Sequence, residues 1–290
     1  MRLGGFYSVN SIDELDLLCE KLDCHGLSAT GAPSLEGMSD DECARFGEAA
    51  RKLDIVIGET GYWENLMTPD KELQAKRIDE VRETLRKAEI MGCGCVVALA
   101  GTKDPCDHVF APHPDNNTAG CKSDLREVVL HILDGLNLEK SSYCIEPWHN
   151  TFFYQPEEIR EFIDFVDHPR FGVHLDQMNM VNQDNYFKTG ELINKTFDLL
   201  SDRAFSVHLK DIRCDPDHEF YKLDEVYIGD GVIDYDTFLK RLSKLTADTP
   251  CYCEHLDLEA EYALNFSRLH YIADKAGLSF KRRAAVKAAG

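Results

Sequence analysis

The chain has 290 residues and a formal net charge of −20, with 43% hydrophobic and 29% charged residues, the composition of a globular fold rather than a disordered or fibrous one. That length supports a large core and suits one α/β barrel at least as well as two small domains, so a single domain over 1–290 is expected. Strong negative charge without a long basic stripe argues against nucleic acid as a partner, and no run of eighteen apolar residues is present to span a bilayer, so no membrane partner is expected.

A β-rich run near 2–9 opens the chain. MRLGGFYSVNSIDELD has neither a basic leader before a long apolar stretch nor a small-residue cleavage site, which makes the cytoplasm the expected location. Ser11 and Glu14 have capping-box spacing for a first helix; after a strand at 26–31, Ser39 and Glu42 repeat it. A third strand, 54–60, leads to Thr68-Pro69, a cap followed by proline at the first helical position, and Ile78, Val81, Leu85 and Ala88 then recur at helical period. Strand 95–101 is followed by the long loop TKDPCDHVFAPHPDNN and by a helix with Leu125, Val128, Val129, Ile132 and Leu136 on one face. Further strands are read near 141–148, 171–177, 204–210 and 250–256. The GDG of Gly229 to Gly231 permits a tight turn ahead of the seventh helix and needs no phosphate role, and 281–290 (KRRAAVKAAG) reads as a flexible, solvated tail.

Eight β-then-α units of roughly 36 residues each match an α/β fold of the (β/α)8 TIM-barrel type, with a parallel sheet covered by helices. The competing doubly wound sheet lacks support, because neither G-x-G-x-x-G nor G-x-x-x-x-G-K-[ST] follows the early strands. Eleven cysteines cannot all pair internally. The pairs Cys93/Cys95 and Cys251/Cys253 lack the spacing of a zinc quartet, so reduced, buried thiols are expected.

Barrel strands are buried on both faces, so charged residues in them are costly unless paired or bound to metal. Four late strands break the apolar rule near their C-terminal ends: SSYCIEPWHN, FGVHLDQMNM, AFSVHLKDIR and TPCYCEHLDL. Alternation places His174 with Asp176 on one face, Ser206 with His208 and Lys210, and Tyr252 with Glu254, while Cys251 and Cys253 face the helices. Glu146, Asp176, His208 and Glu254 are thereby delivered toward one point at the end of the barrel that carries active sites. Three carboxylates and an imidazole form a hard, mostly oxygen donor set for one divalent metal, Mn²⁺ first, with Mg²⁺, Co²⁺ or Zn²⁺ as alternatives.

The runs IEPWHN, VHLDQMNM, VHLKDIR, YIGDGVIDY and YCEHLDLE resemble the last four units of the xylose isomerase-like superfamily of sugar isomerases, ketose 3-epimerases and inosose dehydratases. The likeness covers nearly the whole chain in architecture and the second half in specific motifs. It implies that Glu146, Asp176, His208 and Glu254 hold the metal, and that Glu146 and Glu254 flank a sugar as proton donor and acceptor. Abstracting a proton beside a carbonyl needs both a base in reach and a cation to stabilise the resulting enediolate, which agrees with that implication.

This chain departs from the epimerase pattern at two places. Asn179 stands where many epimerases carry a His three residues after the Asp ligand, and Asn cannot titrate near neutrality. Arg213 lies five residues beyond the His ligand rather than six. VHLKDIR is closer to the inosose dehydratase branch, which implies Lys210 beside the reacting oxygens.

Further substrate candidates are Glu59 and Trp63 in IGETGYWENLM, at the mouth of the third strand, where Trp63 either stacks on a sugar or packs at the rim. Trp148 and His149 directly follow the Glu146-Pro147 pair, and His108 and His113 in the long loop are either general bases or solvated loop residues. The leading functional expectation is a metal-dependent isomerase or epimerase acting on a small sugar or keto-sugar. A lyase is the alternative, either dehydrating a keto-inositol or eliminating from a keto-glycoside as C-glycoside deglycosidases do. An apurinic-endonuclease relative would use a three-zinc cluster with several extra histidines, and Asn179 and the net charge of −20 count against it; a sugar-binding or subunit-scaffolding barrel is the non-enzymatic alternative, and a homo-oligomer or a site completed by a partner subunit is the remaining reading.

Overall fold

A computed structural model describes residues 1–5 and 9–284. The strands are β1 (Arg2–Gly5), β2 (Ala29–Gly31), β3 (Val56–Tyr62), β4 (Cys95–Leu99), β5 (Ser142–Glu146), β6 (Phe171–Asp176), β7 (Ala204–His208), β8 (Asp211–Cys214), β9 (Leu223–Val226) and β10 (Pro250–Cys253). All but β8 and β9 are parallel and close into a barrel in the order β1-β10-β7-β6-β5-β4-β3-β2. The helices wrapping them are α1 (Leu15–His25), α2 (Asp40–Lys52), α3 (Lys71–Met91), α4 (Ala119–Leu133), α5 (Pro156–Val166), α6 (Thr189–Leu200), α7 (Tyr235–Leu242) and α8 (Glu259–Lys275). This is the expected (β/α)8 barrel. All eight expected strands form; β3 continues two residues further than its sequence signal, and residues 6–8 of the first expected strand lie outside the described residues.

The main core lies between barrel and helices. On α4, Leu125, Val129 and Ile132 are almost wholly buried, each worth about 1.5–3 kcal/mol. Leu136 falls in the turn beyond that helix, partly buried against the same core. Cys251 and Cys253 belong to this outer layer as expected, whereas Cys95 and Cys144 pack with Val97 inside the barrel. Every cysteine is a free thiol.

Helix starts follow local chemistry. Ser39 forms the expected capping box, its Oγ accepting from Glu42 N at 3.3 Å while Glu42 Oε2 accepts from Ser39 N at 2.8 Å. Ser11 makes no such bond and begins a 3-10 turn instead; Glu14 accepts from Asn10 N. The cap of α3 is Asp70, not Thr68, because the Asp70 carboxylate accepts from both Glu72 N and Leu73 N.

Unexpected from sequence is the antiparallel hairpin of β8 with β9, inserted after β7. Its anchor is the buried Asp211, whose carboxylate accepts from the N–H groups of Ile212, Gly229, Gly231 and Ile233 at 2.9–3.1 Å. A side chain at Gly231 would place Cβ 2.2 Å from Asp211 Oδ1, so the GDG turn is glycine-dependent through this contact. At the other end of the fold, the segment expected to be a flexible tail is tied down over 281–284. Lys281 N bonds Met1 O, Arg283 grips Asp23 and Ala284 N bonds Asp54. Residues 285–290 lie outside the described residues.

Candidate metal centre

Glu146, Asp176 and His208 are the last residues of β5, β6 and β7, and Glu254 follows β10 directly. The register pairs Asp176 with His208 and His208 with Tyr252, so three adjacent strands end at one level. One ligand atom from each of Glu146, Asp176, His208 and Glu254 lies within 4.8 Å of the others. His208 Nδ1 faces all three carboxylates, 2.6 Å from Glu254 Oε1, 3.7 Å from Asp176 Oδ2 and 3.8 Å from Glu146 Oε1.

The surroundings orient this set. Asp176 Oδ1 accepts from Met178 N at 2.9 Å and Asn179 N at 3.3 Å, which turns Oδ2 toward the cluster. Asn179 Nδ2 donates to Glu146 Oε1 at 2.8 Å. Asn179, expected at the substrate, is thus a buried holder of two of the clustered carboxylates, drawn in by the short 3-10 turn Met178–Met180 after β6. Lys210 is buried too, its Nζ 2.7 Å from Asp176 Oδ2 and 2.5 Å from Glu254 Oε1.

Glu59 is displaced from its expected place at the mouth. It points into the barrel interior, 4% exposed, with Oε1 3.0 Å from His208 Nε2 and Oε2 3.4 Å from His174 Nδ1. The His174 ring stands edge-on to His208 with centroids 3.9 Å apart, and its Nδ1 is 2.5 Å from Ser206 Oγ. Beneath them, Tyr252 crosses the barrel and donates to Thr30 O. Gly58 makes that crossing possible, since a Cβ there would lie 2.1 Å from the Tyr252 hydroxyl.

Electrostatics follow from this crowding. Burial alone would raise every carboxylate; it does raise Glu146, while the charges of His208 and Lys210 outweigh burial at Glu254 and hold it down to about 2. Asp176 is also depressed by Lys210 and His208 despite its burial. Burial would lower His208, yet Glu254 and Glu59 drive it well above the ordinary imidazole range, whereas burial beside His208 drops His174 to about 4. Four buried or nearly buried carboxylates (Glu59, Glu146, Asp176, Glu254) outnumber the basic groups among them, an imbalance that a bound divalent cation offsets. The donor set therefore fits a metal: oxygen-rich, clustered, and held by hydrogen bonds that leave ligand atoms facing inward.

The remaining candidates lie around the mouth. Trp148 is half-buried and packs on exposed Phe110 with ring centroids 4.5 Å apart. Two side chains latch the loops that carry them: Asn116 Nδ2 donates to Asn150 O at 3.0 Å, and Asn150 Nδ2 donates to Val109 O at 3.0 Å. The longer loop is also pinned by Arg77, which forks onto both oxygens of Asp107 at 2.9 and 2.8 Å, and by Asn65, bonded to Thr102 and Asp107. His113 accepts from Asp115 N and caps a 3-10 turn; its ring is engaged in building the loop. His108 is exposed beside Phe110, His149 is exposed against Tyr154, and Trp63 is half-exposed over Gly61. Arg213 sits on the exposed side of β8 and lines a surface cleft of about 470 Å³ with Glu225, Tyr227 and His255. His255 was not anticipated: at φ +57° it turns back, Nδ1 3.0 Å from Glu225 and Nε2 3.6 Å from Glu254. Its only sequence signal is adjacency to Glu254.

The profile of the family described as "Xylose isomerase-like TIM barrel" matches residues 18–270. No curated protein sequence matches the chain. Among solved structures, endonuclease IV from Thermus thermophilus superposes with a TM-score of 0.69 at 19% identity, covering 95% of this chain and 100% of its own. D-psicose 3-epimerase in the presence of D-fructose gives 0.66 at 16% identity, with 95% and 99% covered. A xylose isomerase-like TIM barrel protein from Mycobacterium smegmatis in complex with magnesium gives 0.62 at 16% identity, with 91% and 90% covered.

Proposed function

Because this chain belongs to the xylose isomerase-like TIM barrel family, we propose that it is a divalent-metal-dependent isomerase or epimerase of a small sugar or keto-sugar, acting by proton transfer beside a carbonyl. The observation that carries the reading is the convergence of Glu146, Asp176, His208 and Glu254 on one point at the C-terminal end of the barrel. These four residues would hold the cation, Mn²⁺ in the first instance with Mg²⁺, Co²⁺ or Zn²⁺ as alternatives. When bound, the cation supplies positive charge against the oxyanion character of an enediolate.

The chain's own groups do the rest. Glu254 and Glu146 come from strands three places apart in the barrel and are the proton-transferring carboxylates, one removing the hydrogen beside the carbonyl and the other able to return it. Asn179 and Lys210 hold these carboxylates in place, and Lys210 carries an ammonium within reach of an oxygen that becomes negative. The Phe110–Trp148 pair offers an aromatic wall to the apolar face of a sugar ring.

A lyase is the second reading, favoured by Lys210. A buried ammonium beside the base can protonate a departing oxygen, the extra step that dehydration or keto-glycoside elimination requires. An endonuclease is disfavoured despite the shared fold, since Asn179 replaces a histidine ligand and the net charge of −20 repels a polyanion. Among the described residues no helix is long and apolar enough to cross a membrane; a cytoplasmic, membrane-free enzyme, as a homo-oligomer or with a partner subunit, completes the proposal.

The deciding experiment follows substrate carbon-bound hydrogen in D₂O across ketoses, inososes and keto-glycosides. Deuterium wash-in without elimination supports the isomerase or epimerase; loss of water or of an aglycone selects the lyase. Purified protein should retain about one divalent ion per chain, and His208→Ala should lose ion and turnover together. Full turnover after exhaustive chelation would sink the metal-dependent reading.

A further inference from the structure

We infer that Glu59, on a strand that contributes none of the four ligands, is the positioning residue that commits His208 to the metal through Nδ1. The inference rests on reading Glu146, Asp176, His208 and Glu254 as the metal centre. A neutral imidazole has one lone-pair nitrogen and one N–H, and the partner of the N–H decides which nitrogen is free to ligate. Glu59 Oε1 sits 3.0 Å from His208 Nε2, the nitrogen that faces away from the three ligand carboxylates. A carboxylate there accepts the Nε2 hydrogen, so that when a cation displaces the Nδ1 hydrogen it is the Nδ1 lone pair that is directed at Glu146, Asp176 and Glu254.

The placement of Glu59 has no other evident purpose. It is 4% exposed, and among the described residues no Lys or Arg pairs with it; its ion-pair contacts are His208 and His174. An isolated buried carboxylate is strongly disfavoured, so its presence is consistent with the hydrogen bond it accepts from His208 and the nearby His174 ring. It reaches His208 across the barrel interior, because β3 and β7 are not neighbours in the sheet. The His174 ring, edge-on at 3.9 Å, closes a second side of His208 and stops it turning about its Cβ–Cγ bond. Substrate approaching from the mouth would not meet Glu59, so its effect on the reaction passes through the ligand it holds.

Glu59, His174 and His208 could themselves be read as a second cation site, their ligand atoms being within 4.8 Å. That arrangement would require His208 to give up both ring hydrogens. His174 Nδ1 is also already 2.5 Å from Ser206 Oγ. The positioning role needs neither departure.

The test uses the full chain and measures Co²⁺ and Mn²⁺ affinity by competition with a chelator, stoichiometry by metal analysis, and the visible ligand-field spectrum of the Co²⁺ form. Glu59→Leu removes the acceptor; Glu59→Gln keeps an oxygen of the same reach and guards against a variant that fails to fold. The expected result is one ion per chain throughout, with affinity weakened by about ten- to a hundredfold in Glu59→Leu and less in Glu59→Gln. The Co²⁺ spectrum of the leucine variant should change while the thermal midpoint of the metal-free glutamine variant stays near that of the parent. Parent-like affinity and spectrum in both variants overturn the inference while leaving the metal centre standing. Two ions in the parent and one in Glu59→Leu replace the positioning role with a second site. A parent chain that binds no ion overturns the metal centre itself, and the inference with it.

Discussion

The ammonium of Lys210 lies 2.7 Å from Asp176 Oδ2, and both side chains are essentially fully buried. With Glu254 at 2.5 Å on its other side, Lys210 is held by two of the four expected ligands rather than extending toward solvent. Lys210→Met keeps most of the stem and deletes the charge. In an isomerase, hydrogen exchange and product formation should fall together or hardly change; in a lyase, exchange should persist while elimination collapses, because the two steps use different groups. Parallel measurement of deuterium wash-in and product release separates them, and intact elimination with lost exchange would refute a leaving-group role for Lys210. The metal-free variant should also be less stable by about 3–5 kcal/mol, the usual cost of stranding buried partners.

Glu146→Gln and Glu254→Gln preserve volume and one side-chain oxygen but remove the carboxylate proposed to transfer the proton. Turnover should drop at least about a hundredfold in each, with the circular dichroism spectrum unchanged. If both retain near-parental turnover, the base lies elsewhere.

The Arg77–Asp107 fork gives a pH prediction. Arg77, with smaller help from Thr68 and Asn65, holds the Asp107 carboxyl below the usual range. A carboxyl depressed in the folded state stabilises fully above its unfolded value, near 3.9, and that contribution disappears as pH falls through the folded value. Asp107→Asn should therefore cost about 1–3 kcal/mol at pH 7, with the gap from the parent closing below about pH 4. Denaturant titrations at several pH values measure this. Protease cutting within 101–118 should rise in the variant at pH 7, and an unchanged gap at pH 3 would contradict the assignment.

Gly58→Ala should destabilise the barrel while leaving the residues of the candidate metal centre themselves unchanged. The added Cβ would meet the Tyr252 hydroxyl at 2.1 Å and Pro250 at 2.5 Å, both fixed by the barrel wall. Overpacking of this kind costs about 1–3 kcal/mol. Calorimetry should show a lower midpoint at unchanged metal stoichiometry.

The barrel and the four converging side chains were legible because both are written in short-range pattern. Strand alternation fixes which face a residue takes, and a charged residue at the end of an apolar strand stands out against its neighbours. Glu59 obeys the same alternation, but nothing local says how deep along the barrel axis it sits; its partner, His208, is 149 residues away. Asn179 looked like a substrate contact because its signal was a family position, and the turn that aims it at Glu146 is only three residues long. The β8–β9 hairpin escaped because LDEV and DIRC are short, polar and half-exposed, so neither shows clean period-two alternation. Its organiser, Asp211, reads as one more acidic residue until the four amides around it are placed.

The reciprocal amide contacts of Asn116 and Asn150 make the β4–α4 and β5–α5 loops one transplantable cassette. A chimera that grafts residues 101–118 alone onto another barrel would leave Val109 O without the donor it has here, and Asn116 Nδ2 without one of its acceptors. Phe110 would also lose the indole it leans on. Moving both loops together carries the aromatic wall across intact, and Arg77 and Asn65, which pin the longer loop, travel with it when the first crossover lies in β3, so in any recombination library built on this scaffold the crossover points belong in β3 and after α5, never between the two loops.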